Sequence, residues 1–323
     1  MSDSVKPLPR PVYPVNRTRA WLATLTLSLA SLTAPGLHAV ILATGDGTQN
    51  TTGTGAGLGW DYVGTVSFGS GVYLGNYGGD NWVLTAWHVG EGSFTLGGTT
   101  YGAVANSSVR VQNADTSPTD LCLFKINGNP GLAAIPISAT SPTLGTYAKM
   151  IGAGRDRDTT LTEWSVTGTS PDYTWSEVPS GGNAGGYKWA PTRAMRWGEN
   201  TLDAALSFNA GYGNVEGLAT DFDYSVQQAQ GASGDSGGGV FTYNLSTSMW
   251  ELTGLMLAIG SYDNQPGGTA VFGNVTYLAD LSSYRDNIFT TLPLPTVIPE
   301  PASYTALAGV GVLLLALKRR KRA

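Results

Sequence analysis

Histidine, cysteine and charged residues are all scarce in this chain of 323 residues. It has two histidines and one cysteine, and only 13% of its residues are charged. One cysteine cannot form an intramolecular disulfide, and no Cys/His cluster has metal-ligand spacing. We therefore expect no disulfide framework, no zinc site and no other cofactor. Cys122 lies between Leu121 and Leu123, which predicts a core residue rather than a reactive thiol.

Basic residues are especially rare in the body of the chain. Residues 40–298 contain 9 basic and 21 acidic side chains, which gives this stretch a formal charge of −12. The other nine lysines and arginines lie in the two ends of the chain. Binding to phosphate backbones requires clustered basic residues, so we expect no nucleic-acid partner.

Long apolar runs with helical spacing are absent between residues 40 and 290. Short apolar segments, such as residues 63–68, 71–74 and 82–85, alternate instead with turns rich in Gly, Asn and Asp. The chain contains 44 glycines, 9 tryptophans and 15 tyrosines. This pattern predicts an all-β body.

The two ends carry targeting features rather than parts of the fold. Residues 1–39 contain arginines followed by a short apolar run, and they predict a signal peptide cleaved near Ala39; an uncleaved anchor is the alternative. Residues 291–301 form a Pro-rich linker. An apolar run over residues 302–317 and five basic residues at 318–322 predict a transmembrane tail whose basic end stays in the cytoplasm.

One serine lies among glycines in a pattern that suits a nucleophile. Ser236 stands in the sequence Gly-Asp-Ser-Gly-Gly of residues 234–238, where glycines allow a sharp turn and a close approach of backbone amides. The same letters fit the nucleophile elbow of α/β-hydrolases, but that fold needs a histidine after the serine. The last histidine is His88, and the other, His38, lies in the predicted signal peptide.

His88 and an aspartate provide the remaining parts of a candidate triad. His88 follows the apolar segment of residues 82–87, and Asp120 begins the apolar run of residues 121–124. Asp115 lies only five residues away, but the apolar context favours Asp120 as the acid that fixes an imidazole tautomer.

Three segments together resemble the chymotrypsin-like (trypsin-like) serine proteases. They are Val-Leu-Thr-Ala-Trp-His at 83–88, Asp-Leu-Cys-Leu at 120–123 and the Gly-Asp-Ser-Gly-Gly segment, in the family's order. The resemblance implies two antiparallel six-stranded β-barrels within residues 40–290, the first over about 56–145 and the second over about 146–290. It also implies Ser236 as nucleophile, His88 as general base and Asp120 as orienting acid, with the amides of Gly234 and Ser236 as the oxyanion hole.

The same resemblance implies where the substrate pocket lies. The residue six before the serine is Gln230, and the other pocket residues would be Ala258, Gly260 and Ala270. None of these side chains is acidic, so a neutral side chain is expected before the cleaved bond. Asp235 has two interpretations: it pairs with an amino terminus freed at Val40, or it caps local backbone amides.

The carboxy-terminal end resembles a bacterial sorting signal. This end is similar to the PEP-CTERM signal, in which a Pro-Glu-Pro segment, here residues 299–301, is followed by a short apolar helix and a basic end. The resemblance implies an exosortase as partner and delivery to the cell envelope, the cell surface or the medium. Taken together, the sequence predicts an exported serine endopeptidase with a protein or peptide substrate. The alternative is a surface adhesion or matrix module on a protease-like fold, without significant catalysis.

Overall fold

The computed structural model describes residues 40–224 and 228–293, and the regular secondary structure of this part of the chain is almost entirely β-strand. The predicted signal peptide, the transmembrane tail over 302–317 and most of the linker lie outside the described residues. The strands of the first half are β1 (Ile41–Leu42), β2 (Val63–Val66), β3 (Gly69–Tyr77), β4 (Asp80–Ala86), β5 (Phe94–Leu96), β6 (Thr99–Tyr101), β7 (Val109–Gln112) and β8 (Pro118–Ile126).

Seven of these strands form one antiparallel sheet in the order β6-β5-β2-β3-β4-β8-β7. The hairpin between β3 and β4 turns on Gly78 and Gly79, which both have positive φ, a conformation that suits two-residue hairpin turns. Strand β4 is buried along nearly its whole length, and its β-branched and aromatic residues suit such a strand. Its far end leads directly to His88.

The described residues of the second half contain thirteen further strands and one short helix. They are β9 (Tyr147–Gly152), β10 (Arg155–Arg157), β11 (Thr162–Thr167), β12 (Thr174–Val178), β13 (Ala184–Arg193), β14 (Arg196–Thr201), β15 (Ala204–Asn209), β16 (Asn214–Asp221), β17 (Ala229–Gln230), β18 (Gly239–Asn244), β19 (Met249–Gly260), β20 (Thr269–Val271), β21 (Val275–Asp280) and α1 (Arg285–Thr291), with 3-10 turns at Gly57–Tyr62 and Leu281–Tyr284.

A second seven-stranded antiparallel sheet has the order β14-β9-β18-β19-β21-β16-β15. The resemblance had implied six strands in each half, whereas each sheet has seven. Strands β6 and β15 each lie at one edge of their sheet and are joined to the neighbouring strand by a hairpin. The division of the body near residue 145 stays a prediction.

Two smaller sheets complete the described body. Strands β10, β13, β11 and β12 form a sheet that β20 joins through β13, and β1 pairs with β17. Four strands of the larger sheet come from residues 155–193, a segment that matched none of the three motifs of the sequence analysis.

One continuous apolar cluster connects the two large sheets. It includes Val72, Leu84 and Phe124 from the first sheet and Phe241 and Leu255 from the second, all of them fully buried. Full burial of such a side chain stabilises a fold by about 1.5–3 kcal/mol. Cys122 is buried and free, as its apolar neighbours predict. None of the helices in residues 40–224 and 228–293 has the length and apolar character needed to cross a membrane.

Candidate active site

His88 is held in a tight turn directly after β4. The strand ends at Ala86, whose carbonyl accepts hydrogen bonds from the amides of Val89 and Gly90, both at 3.1 Å. Gly90 closes this turn with a φ of +74°, a conformation that favours glycine. The imidazole is 20% exposed, so one face of it remains accessible at the surface.

Asp120 contacts His88 at two points because β4 and β8 pair in register. Ala86 lies opposite Leu121, which places Asp120 beside the His88 turn, and the Trp87 amide donates to the Asp120 carbonyl at 3.1 Å. One carboxylate oxygen accepts from the His88 amide at 3.0 Å, and the other lies 2.7 Å from Nδ1. Asp120 is 1% exposed. Since a carboxylate only accepts, Nδ1 carries the proton and Nε2 of the neutral ring is left as an acceptor.

Asp115, the neighbouring acid, occupies a different environment. It is exposed and its carboxylate accepts from the backbone amide and the hydroxyl of Ser117. These hydrogen bonds lower the pKa of Asp115. The carboxylate in contact with the imidazole is therefore that of Asp120.

Two residues that sequence reasoning missed pack around this pair. The ring of Tyr212 stacks on the imidazole, with centroids 4.9 Å apart and planes at 29°. Arg110 lies over the Trp87 ring, and its guanidinium donates to the carbonyls of Thr119, at 2.7 Å, and Tyr212. Arg110 thus ties the strand that bears Asp120 to the loop that bears Tyr212. Neither residue belongs to a recognisable motif, so only the fold reveals them.

The Ser236 loop is fastened to both large sheets. The Ser236 carbonyl accepts from the Ser70 amide at 2.8 Å, and the Ser70 carbonyl in turn accepts from the Thr85 hydroxyl at 2.7 Å. Thr85 lies on β4, three residues before His88. On the other side, the Gly237 amide donates to the Met256 carbonyl on β19 at 2.8 Å. The loop is therefore fixed at the boundary between the two sheets.

Three polar groups of the loop form no hydrogen bond within the part of the chain that the structure describes. Within residues 40–224 and 228–293, the Ser236 hydroxyl forms no hydrogen bond, to His88 or to any other group. The amides of Gly234 and Ser236 likewise have no acceptor in the described chain. Gly234 has a φ of +100°, which points its peptide in a direction that other residues rarely adopt. Two neighbouring backbone donors are thus left available to an external oxygen.

Asp235 is buried, and its carboxylate accepts hydrogen bonds from local backbone amides and from the backbone amide of Val40. One oxygen accepts from the Gly154 amide at 2.7 Å, and the other accepts from the Ala232 amide at 2.7 Å and from the Val40 amide at 3.3 Å. Burial raises the pKa of Asp235 to about 6, although these three hydrogen bonds lower it. Both interpretations of Asp235 therefore remain open.

Beside Ser236 lies a mostly apolar cavity of about 190 Å³. No lysine, arginine or glutamate lines it, and its one acid, Asp235, is engaged by backbone amides. The indole Nε1 of Trp189 is buried without a hydrogen-bond partner. The lining residues are Trp189, Gly231, Ala232, Ser233, Asp235, Ser236, Met256, Leu257, Ala258, Ile259 and Thr276.

Of the four predicted pocket residues, only Ala258 lines this cavity. Gln230 is fully buried because β1 pairs with it, and its amide faces Asn274 at 3.5 Å. Ala270 lies on β20 in the apolar cluster behind the cavity. Gly260 is packed against the ring of Tyr277. The walls come instead from residues 231–233 and 256–259, together with Trp189 of the additional sheet.

Comparison with protein families gives one match, at the carboxy-terminal end. Residues 297–322 match the family described as the PEP-CTERM protein-sorting motif, which confirms the resemblance seen in the sequence. This motif implies sorting by an exosortase, and it marks the chain as an exported protein directed to the cell envelope or surface. No curated protein matches the chain.

Solved structures similar to this chain include serine proteases at low identity. An inactive mutant form of Rv3671c from M. tuberculosis H37Rv is 12% identical with a TM-score of 0.41, covering 72% of this chain and 87% of that one. A further inactive form of the Rv3671c protease is 11% identical at the same score, with 72% and 90% covered. Neuropsin, a serine protease of mouse brain, is 15% identical, also at 0.41, with 72% and 94% covered.

Proposed function

We propose that this chain is an exported serine endopeptidase. Ser236 is the nucleophile, His88 the general base and then the general acid, and Asp120 the acid that orients the imidazole. The amides of Gly234 and Ser236 form the oxyanion hole. The two large sheets correspond, in this proposal, to the two β-barrels of a trypsin-like fold, and the substrate is a protein or peptide.

The observation that carries the proposal is the contact between Asp120 and His88. A buried carboxylate holds both the amide and Nδ1 of the only histidine in the described chain, which leaves Nε2 as a proton acceptor. A buried carboxylate on Nδ1 combined with a partly exposed ring is the arrangement that a general base requires, and it favours a catalytic role over a purely structural one. The Ser236 loop is anchored to the strand that leads to this histidine.

In the first step, the Ser236 Oγ attacks the carbonyl carbon of the substrate and its proton passes to His88 Nε2. The hydroxyl has no competing hydrogen bond within residues 40–224 and 228–293, and in this proposal it rotates toward the imidazole when substrate binds. Catalytic hydrogen bonds are often open before substrate is present. Asp120 stabilises the imidazolium that forms.

In the second step, the negative charge on the former carbonyl oxygen is stabilised by the two uncommitted amides. The C–N bond then breaks, and the proton on Nε2 passes to the leaving amine. Water attacks the resulting ester in the same way, with its proton taken by His88 and returned to Ser236. The chain thus supplies every proton transfer that peptide hydrolysis requires.

Labelling by a fluorophosphonate probe tests this function. The folded wild-type protein is expected to react covalently at Ser236, and Ser236→Ala is expected to lose the label. Ser233→Ala, a substitution three residues away in the same loop, serves as the matched control and should still be labelled. Peptide mapping by mass spectrometry identifies the modified serine. Absence of label on folded wild-type protein would contradict the proposal and favour a non-catalytic surface module.

A further inference from the structure

Arg193, the last residue of β13, carries a positive charge that no acid of the described chain neutralises by an ion pair. Its guanidinium is held by main-chain carbonyls only. Nη2 donates to Phe68 at 2.5 Å, to Ala153 at 2.9 Å and to Gly234 at 3.4 Å, and Nε donates to Ala153 at 3.2 Å. Nη1 has no hydrogen-bond partner among the described residues. It is also not fully buried, so it remains open to an external group.

The surroundings of Arg193 leave it cationic. Burial lowers the pKa of Arg193, and Arg155 nearby lowers it further, while Asp235 raises it. An arginine stays protonated near neutral pH despite such shifts. The Asp235 oxygens are already engaged by three backbone amides. A fixed guanidinium with one open donor is a suitable partner for an external carboxylate.

Arg193 lies directly beside the proposed oxyanion hole. A side chain at Gly234 would place its Cβ only 2.0 Å from Nη2, so the guanidinium covers one side of this residue. Arg193 does not line the cavity beside Ser236. In the proposed function that cavity takes the side chain on the acyl side of the scissile bond, so Arg193 does not contribute to the pocket for that side chain.

The contacts of Phe68 indicate which part of the substrate reaches Arg193. The next residue, Gly69, packs against Val89 and against the Ser236 carbonyl, and Val89 follows His88 in the chain. The imidazole must deliver its proton to the leaving amine, so the leaving group passes this side of the site. Phe68 is 87% exposed and offers it an apolar surface next to the guanidinium.

We propose that Arg193 binds a carboxylate on the leaving-group side of the scissile bond. The inference rests on the proposed peptidase function and names a substrate class for it: peptides that carry an acidic side chain, or a free carboxy terminus, just after the cleaved bond. The body has an acidic surplus that repels such substrates. The open guanidinium of Arg193 is therefore well placed to decide which leaving groups bind.

Paired peptides test the proposal on the wild-type protein. Internally quenched peptides with Glu or Gln at the first, second or third position after the cleaved bond separate charge from shape. A second pair, ending two residues after that bond as a free acid or as an amide, tests the carboxy terminus. We expect kcat/KM to be roughly ten-fold higher for the carboxylate member of one pair, the size typical of a charged hydrogen bond.

Variants then assign the preference to the residue. Arg193→Gln is expected to bring the ratio of the preferred pair close to one, and Arg193→Lys to keep part of it. Because the ratio is taken within each variant, a general loss of activity from the altered contacts to Phe68 or Gly234 cancels. Arg285→Gln removes the same charge from α1, where Nε of Arg285 donates to the Ile137 carbonyl, and should keep the wild-type ratio.

The outcomes separate this proposal from the proposed function. Equal turnover of the paired peptides by wild-type protein would overturn the role of Arg193 and leave the peptidase intact. A wild-type ratio that Arg193→Gln leaves unchanged would also overturn it. Failure of fluorophosphonate labelling and of all peptide cleavage would instead contradict the peptidase itself.

Discussion

The carboxylate of Asp120 contacts His88 at two points: one oxygen accepts a hydrogen bond from the backbone amide of His88 at 3.0 Å, and the other lies 2.7 Å from Nδ1. The first contact fixes the position of the residue and the second fixes its tautomer. Both follow from the register of β4 with β8, which places Leu121 opposite Ala86. The arrangement therefore depends on sheet geometry as much as on the two side chains.

Replacing Asp120 by asparagine should remove activity while keeping the fold. The amide oxygen of asparagine can still accept from the backbone of His88, but its NH₂ group would face Nδ1 and force the proton onto Nε2. The ring could then no longer accept the Ser236 proton. We expect kcat to fall by roughly three to four orders of magnitude, measured with a peptide substrate.

Asp115→Asn is the matched control for this substitution. Asp115 is exposed and caps Ser117, so its replacement should leave kcat within about two-fold of wild type, as is usual for surface substitutions. A comparable loss of kcat in both variants would show that Asp120 has no special role.

Short-range patterns in the sequence predicted the parts of the site that depend on local structure. His88 and Asp120 adjoin apolar strands, and Ser236 lies in a glycine-rich loop, so each could be recognised from a few neighbours. The contact between His88 and Asp120 depends on the pairing of β4 with β8, which their neighbours in the sequence do not predict. The resemblance supplied the expectation that the three residues act together. The mostly β character followed from the short apolar segments, and the structure confirms it.

The pocket could not be predicted in the same way because its walls depend on long-range pairing. Gln230 is buried because β1, from the start of the described chain, pairs with β17. Ala270 is covered because β20 pairs with Tyr187 of β13, within the segment that matched no motif. Trp189 reaches the cavity from the same segment. A pattern of single residues carries no information about such partners.

The cavity beside Ser236 predicts a preference for neutral side chains before the cleaved bond. A lysine or arginine entering it would lose its hydration without meeting a free carboxylate, and burying an unpaired charge is costly. We expect kcat/KM for Ala, Leu or Met at this position to exceed that for Lys or Arg by about ten-fold or more. Mass spectrometry of a digested peptide library measures this. Predominant cleavage after Lys or Arg would contradict it.

The pH dependence of stability separates the two interpretations of Asp235. In the chain that continues before Val40, the pKa of Asp235 in the folded state is about 6 and exceeds the ordinary value of 3.8. The folded state therefore binds the Asp235 proton more tightly than the unfolded state does. The contribution of Asp235 to stability should therefore fall as pH rises from about 4 to about 6. Urea unfolding across this range measures the trend, and Asp235→Asn should weaken it.

A protein that begins at Val40 should show the opposite trend if Asp235 binds the freed amino terminus. The ammonium group would favour the charged carboxylate and lower its pKa, so the stabilisation would be present above pH 4 and lost as pH falls. Peptidase activity should also be higher than in a form that retains Ala39. Identical pH profiles and activities of the two forms would support the local cap alone, as would full activity of Asp235→Ala.

Gly237, the glycine after the proposed nucleophile Ser236, should be among the least replaceable residues of the loop. A Cβ at Gly237 would lie 2.1 Å from the Ser70 carbonyl oxygen and 2.4 Å from the Thr85 hydroxyl, and its φ is +85°. Both neighbours belong to the chain of hydrogen bonds that fastens the Ser236 loop to β4. Gly237→Ala should therefore lower the free energy of unfolding by about 3 kcal/mol or more, as steric overlap adds to backbone strain.

Gly98→Ala is the control that measures the backbone strain of a positive φ without steric overlap of the added Cβ. Gly98 has nearly the same φ, +82°, but an added Cβ would meet no atom within 4 Å. Its replacement should cost only the backbone term of about 1–2 kcal/mol. The two free energies come from chemical denaturation under one set of conditions. If the loop is held as the structure has it, Gly237→Ala should lose more stability than Gly98→Ala and should be labelled more slowly by the fluorophosphonate. Equal losses of stability with fast labelling of Gly237→Ala would show that the Ser236 loop can move away from Ser70.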